Sequence, residues 1–483
     1  MAGTVGGLPP ETLPVAYLVS GVLFIVGLRK LTHPRTAERG NQISATGMVL
    51  AVGITVLWFE ILSPFLLAAA LLVGAGIGTG LALTVETTEM PQLVGLFNGF
   101  GGGASALVAG AELVDRASRF GVGEGLTVTM TGAAVVTGLI GAVTFWGSLV
   151  AAGKLHGFYE DPIRYSAENG VKVIVLLIAV GIGLALVTKT SLFGLLPIGP
   201  WVAPYWVLIA VASFLGVLLV VPIGGADMPV VIALLNACSG LAAATTGFVL
   251  DNSVLIIAGT LVGAAGFILT VIMCQSMNRP LRNVLFGKFG VPTGSTGEAV
   301  EDIYEGNIKR TSPEEVVMLL ETARRVVIVP GYGMAVGHAQ HAVGELVKML
   351  AEDGVDVEFG IHPVAGRMPG HMNVLLAEAN IPYEQMKELS EINHTFSQTD
   401  LVLVTGANDV VNPIAYSEED SPIAGMPVLN VWEAETVVVN KRSLSPGYAG
   451  IPNPLFARDN TLMLFGDARE EMQALVNEYK QVR

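Results

Sequence analysis

The chain has 483 residues, of which 52% are hydrophobic and only 14% are charged. An average soluble protein has about 25% charged residues, so this composition excludes an ordinary soluble enzyme. The formal net charge of -15, without a basic stripe, excludes a nucleic-acid-binding protein. Cys238 and Cys274 both lie within apolar runs, so we expect neither a disulfide framework nor a cysteine-rich metal site.

Long apolar segments fill the sequence up to about Phe289, and each approaches the ~20 residues that a membrane-spanning helix needs. The first one follows a stretch without a basic region, so we expect a span there and no cleaved signal. The apolar runs and their polar breaks predict about nine spans, over residues 13–31, 43–59, 61–83, 91–111, 126–151, 171–188, 205–221, 228–250 and 254–276.

The loops between these spans differ in their Lys and Arg content, and loops rich in these residues stay in the cytoplasm. One alternating set holds Arg29, Lys30, Arg35, Arg39, Lys154, Arg164, Lys172, Arg279, Arg282 and Lys288. The other set holds only Arg116, Arg119 and Lys189. The chain leaves its last span on the richer side, so we expect the C-terminal part in the cytoplasm and the N-terminus outside.

Charged residues return after the last span. Residues 288–307 are rich in Gly, Thr and acidic residues and lack apolar periodicity, so we interpret them as a linker. This linker separates a membrane domain, residues 1–287, from a C-terminal domain, residues 308–483.

Strand-like and helix-like segments alternate in the C-terminal domain, which predicts an α/β Rossmann-like fold with a mostly parallel sheet. The strand candidates are residues 325–330, 355–363, 401–409, 427–432, 436–440 and 461–466. Residues 468–482 have the pattern of a closing amphipathic helix.

A glycine-rich turn follows the first strand candidate and leads into a helix-like segment that ends near residue 354. The turn consists of Gly331, Tyr332, Gly333, Met334, Ala335 and Val336. In a dinucleotide-binding domain, the first glycine permits the tight turn, and the second lets the backbone approach a pyrophosphate. The helix N-terminus then supplies N–H donors. A glycine turn that serves only strand-to-helix packing is the alternative.

Two features favour NADP over NAD. The second strand candidate ends in residues 360–363 (GIHP), without the acidic residue that usually holds the ribose of NAD. Lys441 and Arg442 directly follow the strand candidate 436–440 and would suit a 2'-phosphate. A solvated basic pair at a strand end is the competing interpretation.

Three strand-end loops, residues 362–373, 405–413 and 440–456, are rich in Gly, Pro and polar residues. Ligands of open α/β sheets lie beyond the carboxyl ends of the strands, so these loops are candidate cofactor walls. The second loop contains Gly406, Ala407, Asn408 and Asp409. We expect Asp409 beside a nicotinamide, with turn formation as the alternative role.

Six segments together resemble the β subunit of proton-translocating NAD(P) transhydrogenase: residues 224–248, 272–280, 329–340, 362–379, 405–413 and 440–450. The resemblance implies a proton-conducting membrane domain and a C-terminal NADP(H)-binding domain. It also implies one or two α subunits with an NAD(H) domain and further spans, in a dimer of αβ units within the lipid of the bacterial cytoplasmic (inner) membrane. The implied Re/Si-specific reaction moves hydride from NADH to NADP⁺ while protons flow inward, and it requires the α subunit.

The resemblance also assigns roles to single residues. It places Gly331, Tyr332, Gly333, Ala335 and Val336 near the pyrophosphate, and Lys441, Arg442 and Ser443 around the 2'-phosphate. Tyr448 falls in the lid loop, Arg367 in a second cofactor-proximal loop, and Asp409 at the acid that links protonation to NADP(H) binding.

In the membrane domain, Asn236 matches a polar channel residue and Asp227 an acid at the cytoplasmic end of the same span. Asn98 stands where many members have a histidine. Because asparagine does not titrate, Asn98 can hold water but cannot carry the proton. All seven histidines lie outside the predicted spans, so we expect the titratable group on the α side.

Two other functional classes compete with this interpretation. A channel or transporter gated by a regulatory nucleotide domain would show a selectivity filter or several charged residues in its spans. A membrane quinone oxidoreductase would bring a flavin, haem or iron–sulfur centre. Neither a filter nor several charges are evident in the predicted spans, and the sequence has no cysteine cluster for an iron–sulfur centre.

Overall fold

The computed structural model describes residues 12–31, 34–58, 64–124, 126–158, 163, 167–188, 203–286, 304 and 307–483. Of the predicted linker, only Tyr304 and Asn307 are among them. The chain divides into two compact units. The first comprises Met1–Ala152, Ile163–Val221 and Leu234–Ile268, and the second comprises Gly153–Pro162, Pro222–Ala233 and Leu269–Arg483.

Within the described residues, nine helices are long and apolar enough to cross a membrane, which confirms the predicted number of spans. They are α1 (Thr12–Leu31), α2 (Pro34–Trp58), α3 (Pro64–Thr84), α4 (Met90–Glu124), α5 (Val128–Leu155), α6 (Glu168–Thr188), α7 (Ala203–Val220), α8 (Met228–Leu250) and α9 (Ser253–Ser276). The structure thus has the polytopic α-helical part that the sequence predicted.

Helix α4 extends well beyond the apolar run 91–111 that predicted it. Its polar extension carries two ion pairs one helical turn apart: Arg116 Nε lies 2.6 Å from Glu112, and Arg119 Nε lies 2.8 Å from Asp115. Ion pairs of this spacing stabilise a helical segment even where it has no apolar face. Hydropathy alone therefore underestimates the length of α4.

Glycines allow close packing between α8 and α9. A Cβ atom at Gly240 would lie 2.7 Å from Gly263 Cα, and one at Gly259 would lie 2.8 Å from Ala244 Cα. Only glycine fits such a backbone approach, which is a common way to pack helices in membranes. This contact brings Asn236 of α8 against Gly266 of α9, where an added Cβ would lie 3.0 Å from the Asn236 amide nitrogen.

A six-stranded sheet forms the centre of the C-terminal domain. Its strands are β1 (Arg325–Pro330), β2 (Asp356–Ile361), β3 (Met386–Glu388), β4 (Leu401–Thr405), β5 (Thr436–Lys441) and β6 (Thr461–Phe465). They lie in the order β3-β2-β1-β4-β5-β6, and every neighbouring pair is parallel. This is the strand order of a Rossmann fold, as predicted.

Eight α-helices follow α9 among the described residues. They are α10 (Leu281–Phe286), α11 (Pro313–Thr322), α12 (Tyr332–Val336), α13 (Gln340–Glu352), α14 (His371–Glu378), α15 (Leu389–Ile392), α16 (Ile414–Ser417) and α17 (Ala468–Val482). Helices α11, α13 and α17 pack together on one face of the sheet.

The sheet is buried on both faces because its strands are runs of β-branched and aliphatic residues. In β1, Val326 and Ile328 belong to the core under the helices, whereas Val327 and Val329 belong to a second core on the other face. This alternation follows from the two-residue period of a strand. Both cores hold the strand ends, and therefore the loops that follow them, in fixed positions.

Residues 427–432 do not form the predicted strand. Val428 and Leu429 are buried, but their backbone groups bond outside the sheet. The Val428 N–H donates to the Tyr416 hydroxyl at 3.2 Å, and the Leu429 N–H donates to the Val410 carbonyl at 2.9 Å. An apolar run therefore marks burial here, and these bonds replace a strand ladder.

Two further differences concern short elements. The predicted helix after Val336 is interrupted near His338, which has a φ of 51°, so α12 and α13 are separate. Strand β3 was not predicted, because a three-residue edge strand carries too little apolar pattern.

Candidate functional site

The loops after β1 and β4 meet where the sheet order reverses direction, which is the usual ligand position in open α/β sheets. The Gly331 N–H donates to the Thr405 carbonyl, and the Gly333 N–H donates to the Gly406 carbonyl, both at 2.9 Å. These bonds fix the glycine-rich turn against the β4 loop.

Glycine is required at this contact. Gly406 has a φ of 67°, and a Cβ atom at Gly333 would lie 2.7 Å from Gly406 Cα. A Cβ atom at Gly331 would overlap Ala407 and Gly406. The glycines of the motif therefore pack two loops together, and they also leave bare backbone at the bottom of the cleft.

A cavity of about 780 Å³ opens at this position. Within the C-terminal domain its walls come from the loops after β1, β2, β4 and β5, including Gly333, Arg367, Asn408, Lys441 and Tyr448. A smaller cavity of about 220 Å³ adjoins Gly333 and is lined by Val336, Arg442, Ser443 and Ser445, among others. The two volumes together are in the range of cofactor sites.

Three predicted residues form a cluster of one cation and two rings. The Arg367 guanidinium carbon lies 4.4 Å from the centre of the Tyr332 ring, and Arg367 Nε donates to the Tyr448 hydroxyl at 3.5 Å. The two tyrosine rings are 6.1 Å apart. The cluster joins the loops after β1, β2 and β5, so the structure brings these three predicted residues together.

Buried histidines hold the loop that carries Arg367. The Arg367 N–H donates to His371 Nδ1 at 3.1 Å, and the Val364 N–H donates to His362 Nδ1 at 3.2 Å. The pKa of both histidines is lowered to about 4, by burial in each case and, for His371, also by the Arg367 charge. Both are therefore neutral near pH 7, and His362 Nε2 donates to the Pro427 carbonyl.

Asp409 lies between the β4 loop and the loop after β5. Its Oδ2 accepts a hydrogen bond from the Ala449 N–H at 3.0 Å, and its Oδ1 lies 3.4 Å from the Asn408 amide. Burial raises the pKa of Asp409, while the Ala449 bond and the Lys441 charge oppose that rise. Opposing effects therefore act on the pKa of this carboxyl, and a change in its burial or in the position of Lys441 would shift that pKa.

Lys441 and Arg442 have different environments although they are adjacent. Lys441 is half-buried, its ammonium lies 5.6 Å from the centre of the Phe456 ring, and it donates to the Ser445 carbonyl at 2.7 Å. Burial lowers the pKa of Lys441, and Asp409 raises it. Arg442 and Ser443 are exposed and line the smaller cavity.

Not every residue of the glycine-rich turn faces the cavity. The side chains of Met334 and Ala335 are buried in the core under the helices. Val336 is 44% exposed and lines the smaller cavity. Only the backbone of Met334 and Ala335 is therefore able to contact a ligand.

The three polar residues predicted for the membrane domain are buried or half-buried in the structure. Asp227, only 2% exposed, accepts a hydrogen bond from Arg279 Nη1 at 2.5 Å. Asn236 is half-buried at the α8–α9 contact, and Asn98 is buried in α4. Polar side chains buried in apolar helices are costly unless they are bonded, so each of them needs a structural or functional reason.

The sequence interpretation missed Asn453 and Tyr304. The Asn453 amide nitrogen donates to the Asn408 carbonyl at 3.0 Å, and the Asn453 N–H donates to the Tyr304 hydroxyl at 2.7 Å. The only local signal was Asn453 before Pro454, a typical start of a helical turn. That signal does not reveal a contact with the Asp409 loop.

The residues of the site fit a dinucleotide with an additional phosphate. Bare glycine backbone lies at the base of the cleft, and the cations Lys441 and Arg442 lie on its wall. Among the residues that the structure describes, the buried Asn408 Oδ1 atom has no hydrogen-bond partner, and Asn408 lines the larger cavity. Fold and site together define a multi-pass membrane protein with a Rossmann-type domain.

Comparison with known proteins specifies the family. The model of the NAD(P) transhydrogenase beta subunit family matches residues 13–478. A protein named NAD(P) transhydrogenase subunit beta from Rhodospirillum rubrum is 44% identical over 467 residues, which cover 95% of this chain and 97% of the relative. A protein of the same name from Rhodospirillum rubrum strain ATCC 11170 has the same identity and coverage. The chain therefore belongs to the NAD(P) transhydrogenase beta subunit family.

Proposed function

We propose that this chain is the NADP(H)-binding, proton-translocating subunit of a Re/Si-specific transhydrogenase. In this proposal, hydride passes from NADH to NADP⁺ while protons move inward across the bacterial cytoplasmic membrane, toward the side of the C-terminal domain. The family membership supports the enzyme, and the site supports the choice of cofactor.

The observation that carries the proposal is the arrangement of glycine backbone and cations at one switch point. Gly331, Gly333 and Gly406 line the larger cavity with bare backbone, which would lie against a pyrophosphate, and Arg442 with Ser443 lines the adjoining smaller cavity. A 2'-phosphate in that cavity would accept charge-assisted hydrogen bonds from the guanidinium. Strand β2 ends without the acidic residue that usually holds the ribose hydroxyls of NAD, which favours NADP(H).

NADP(H) supplies the hydride chemistry when it is bound, and the protein supplies position and electrostatics. Asn408 offers an acceptor in the cleft, and the Arg367–Tyr332–Tyr448 cluster covers part of the cavity. Asp409 stands beside these groups with a raised pKa. Its protonation state therefore changes the charge beside the cofactor, which is what coupling to protons requires.

Asn236, Asn98 and Asp227 are the proposed members of the proton path. Asn236 and Asn98 can bind water but do not titrate, so they relay rather than store a proton. Asp227 lies at the end of its span and is paired with Arg279, and all seven histidines lie outside the predicted spans, so we place the proton-storing group within the membrane on an α subunit. We propose one or two such subunits, which bind NAD(H), and a dimer of αβ units in the membrane lipid.

Equilibrium titration of the purified full-length chain with NADP⁺ and with NAD⁺ tests the proposed cofactor. We expect tight binding of NADP⁺ and much weaker binding of NAD⁺, without any α subunit. Equal affinities would contradict the assignment. The same preparation should show no hydride transfer from NADH to NADP⁺ until the α partner is added, because the sequence has one dinucleotide-binding fingerprint and direct transfer needs both nucleotides bound.

A further inference from the structure

Tyr304 lies in the segment that precedes the C-terminal domain, yet it is only 6% exposed and belongs to one of the two cores of the sheet. Its ring stacks on Phe456, with centroids 6.3 Å apart and planes at 23°. Tyr304 is therefore the point at which the chain first joins the described core of this domain.

Asn453 connects the Tyr304 hydroxyl to the Asp409 loop by hydrogen bonds. It accepts a hydrogen bond from the Asn453 N–H at 2.7 Å. Asn453 is 1% exposed, and its amide nitrogen donates to the carbonyl of Asn408 at 3.0 Å. Asn408 directly precedes Asp409 and also contacts the Asp409 carboxylate. Asn453 is thus held on one side by Tyr304 and holds the Asp409 loop on the other.

The ring of Tyr304 is connected to Lys441, beside Asp409, by a second set of contacts. Phe456, on which it stacks, also lies 5.6 Å from the Lys441 ammonium. A cation near an aromatic face is attracted to it, so the position of Phe456 affects Lys441. Both sets of contacts therefore end at the Asp409–Lys441 pair.

The charged groups around this pair come from neighbouring elements. Asp409 is influenced by Lys441 of β5 and receives backbone hydrogen bonds from the loop that contains Tyr448 and Ala449. Lys441 is influenced in turn by Asp409 and Arg442. Burial raises the pKa of Tyr304 itself, so its hydroxyl stays protonated and acts through hydrogen bonding alone.

We propose that Tyr304 is a positioning residue that sets the geometry of the Asp409–Lys441 pair and so connects the entry of the domain with the NADP(H) site. Its hydroxyl fixes Asn453 and its ring fixes Phe456, and none of these three residues lines the two cavities of the site. This role rests on the proposed function, and it adds a residue from outside the predicted cofactor loops.

The test compares Tyr304→Phe with Tyr479→Phe in the full-length chain. Tyr304→Phe keeps the stacked ring and removes the hydroxyl. Tyr479 of α17 is a matched control, because it is also buried and its hydroxyl lies 2.9 Å from the Asp353 carboxylate. NADP⁺ affinity is measured for each variant across the pH range, together with the thermal unfolding temperature without nucleotide.

We expect Tyr304→Phe to weaken NADP⁺ binding by about threefold to tenfold, the effect of one lost hydrogen bond, and to shift the midpoint of its pH profile. Tyr479→Phe should follow the wild-type profile. Phe456→Leu keeps the Tyr304 hydroxyl but removes the ring between Tyr304 and Lys441, and it should also shift the profile.

Wild-type pH profiles for both Tyr304→Phe and Phe456→Leu would overturn the positioning role. An equal shift in Tyr479→Phe would overturn it as well, because the effect would then reflect general destabilisation. A wild-type chain that binds no NADP⁺ would contradict the proposed function itself, and the inference with it. A normal wild-type chain beside unchanged variants refutes the inference alone.

Discussion

Asp409 is surrounded by groups that act on its charge in opposite directions. Burial favours the neutral carboxyl, whereas the Ala449 N–H and the Lys441 ammonium favour the carboxylate. Because the folded-state pKa is raised, ionisation of Asp409 costs stability as the pH rises through that pKa. Ionisation also places a negative charge beside an anionic cofactor, so NADP(H) affinity should fall over the same pH interval.

The Asp409→Asn variant should lose this part of the pH dependence. Asparagine keeps the shape and the contact with Ala449 but cannot ionise, so affinity at high pH should exceed that of the wild type. The measurement is NADP⁺ affinity against pH for both proteins. If the two profiles are parallel throughout, the carboxylate has no part in the switch.

Lys441 and Arg442 should determine the preference for NADP over NAD. Replacing each by Ala removes about 1.5–3 kcal/mol if it donates to a 2'-phosphate, since hydrogen bonds to charged groups have this magnitude. Affinity for NADP⁺ should fall about tenfold or more per residue, and affinity for NAD⁺ should change little. Lys480→Ala is the control, because Lys480 pairs with Glu345 on the surface, 2.6 Å away. If the affinities for NADP⁺ and NAD⁺ fall equally, Lys441 and Arg442 do not bind the 2'-phosphate.

At the scale of elements, the contact between the β1 and β4 loops depends on glycine. Gly406 and Gly354 both have positive φ, 67° and 86°, but only Gly406 has backbone atoms in the place of a Cβ. Gly354→Ala should therefore cost only about 1 kcal/mol, the usual penalty of that conformation. Gly406→Ala should cost at least about 2 kcal/mol, since the steric overlap adds to it.

Chemical unfolding of the C-terminal domain measures this difference, and NADP⁺ titration shows its effect on the site. We expect Gly406→Ala to weaken binding strongly and Gly354→Ala to leave it unchanged. Equal unfolding free energies for the two variants would mean that the loops do not pack as described.

The elements that the sequence predicted are those with strong local patterns. Strand β1 is a β-branched run, and Gly331 and Gly333 follow it at the spacing of a nucleotide-binding turn, so both were recognisable from neighbouring residues alone. The Tyr304–Asn453 bond joins residues 149 positions apart and has no local pattern. The strand prediction over 427–432 was wrong for a related reason: the Val428 backbone bonds to the side chains of Asn393 and Tyr416, and the Leu429 N–H bonds to the Val410 carbonyl.

At the scale of the whole molecule, nucleotide binding and proton movement should be separable by mutation. Asn236 is half-buried at the α8–α9 contact, so Asn236→Leu removes a water-binding group from the proposed path. Proton movement should decrease, while NADP⁺ affinity should stay near the wild-type value. Thr260→Val is the control, because that hydroxyl is satisfied within its own helix by Ile256, at 2.6 Å. Normal proton movement in Asn236→Leu would remove Asn236 from the path.

Hydride transfer and proton movement should form one coupled process in the complex of this chain with its α partner. The direct measurement follows both in the same sealed vesicles, with nucleotides supplied on the side of the C-terminal domain. Hydride transfer from NADPH to an NAD⁺ analogue should acidify the interior, and an uncoupler should abolish the pH change and speed up the transfer. Hydride transfer with a constant internal pH, unaffected by the uncoupler, would contradict the account.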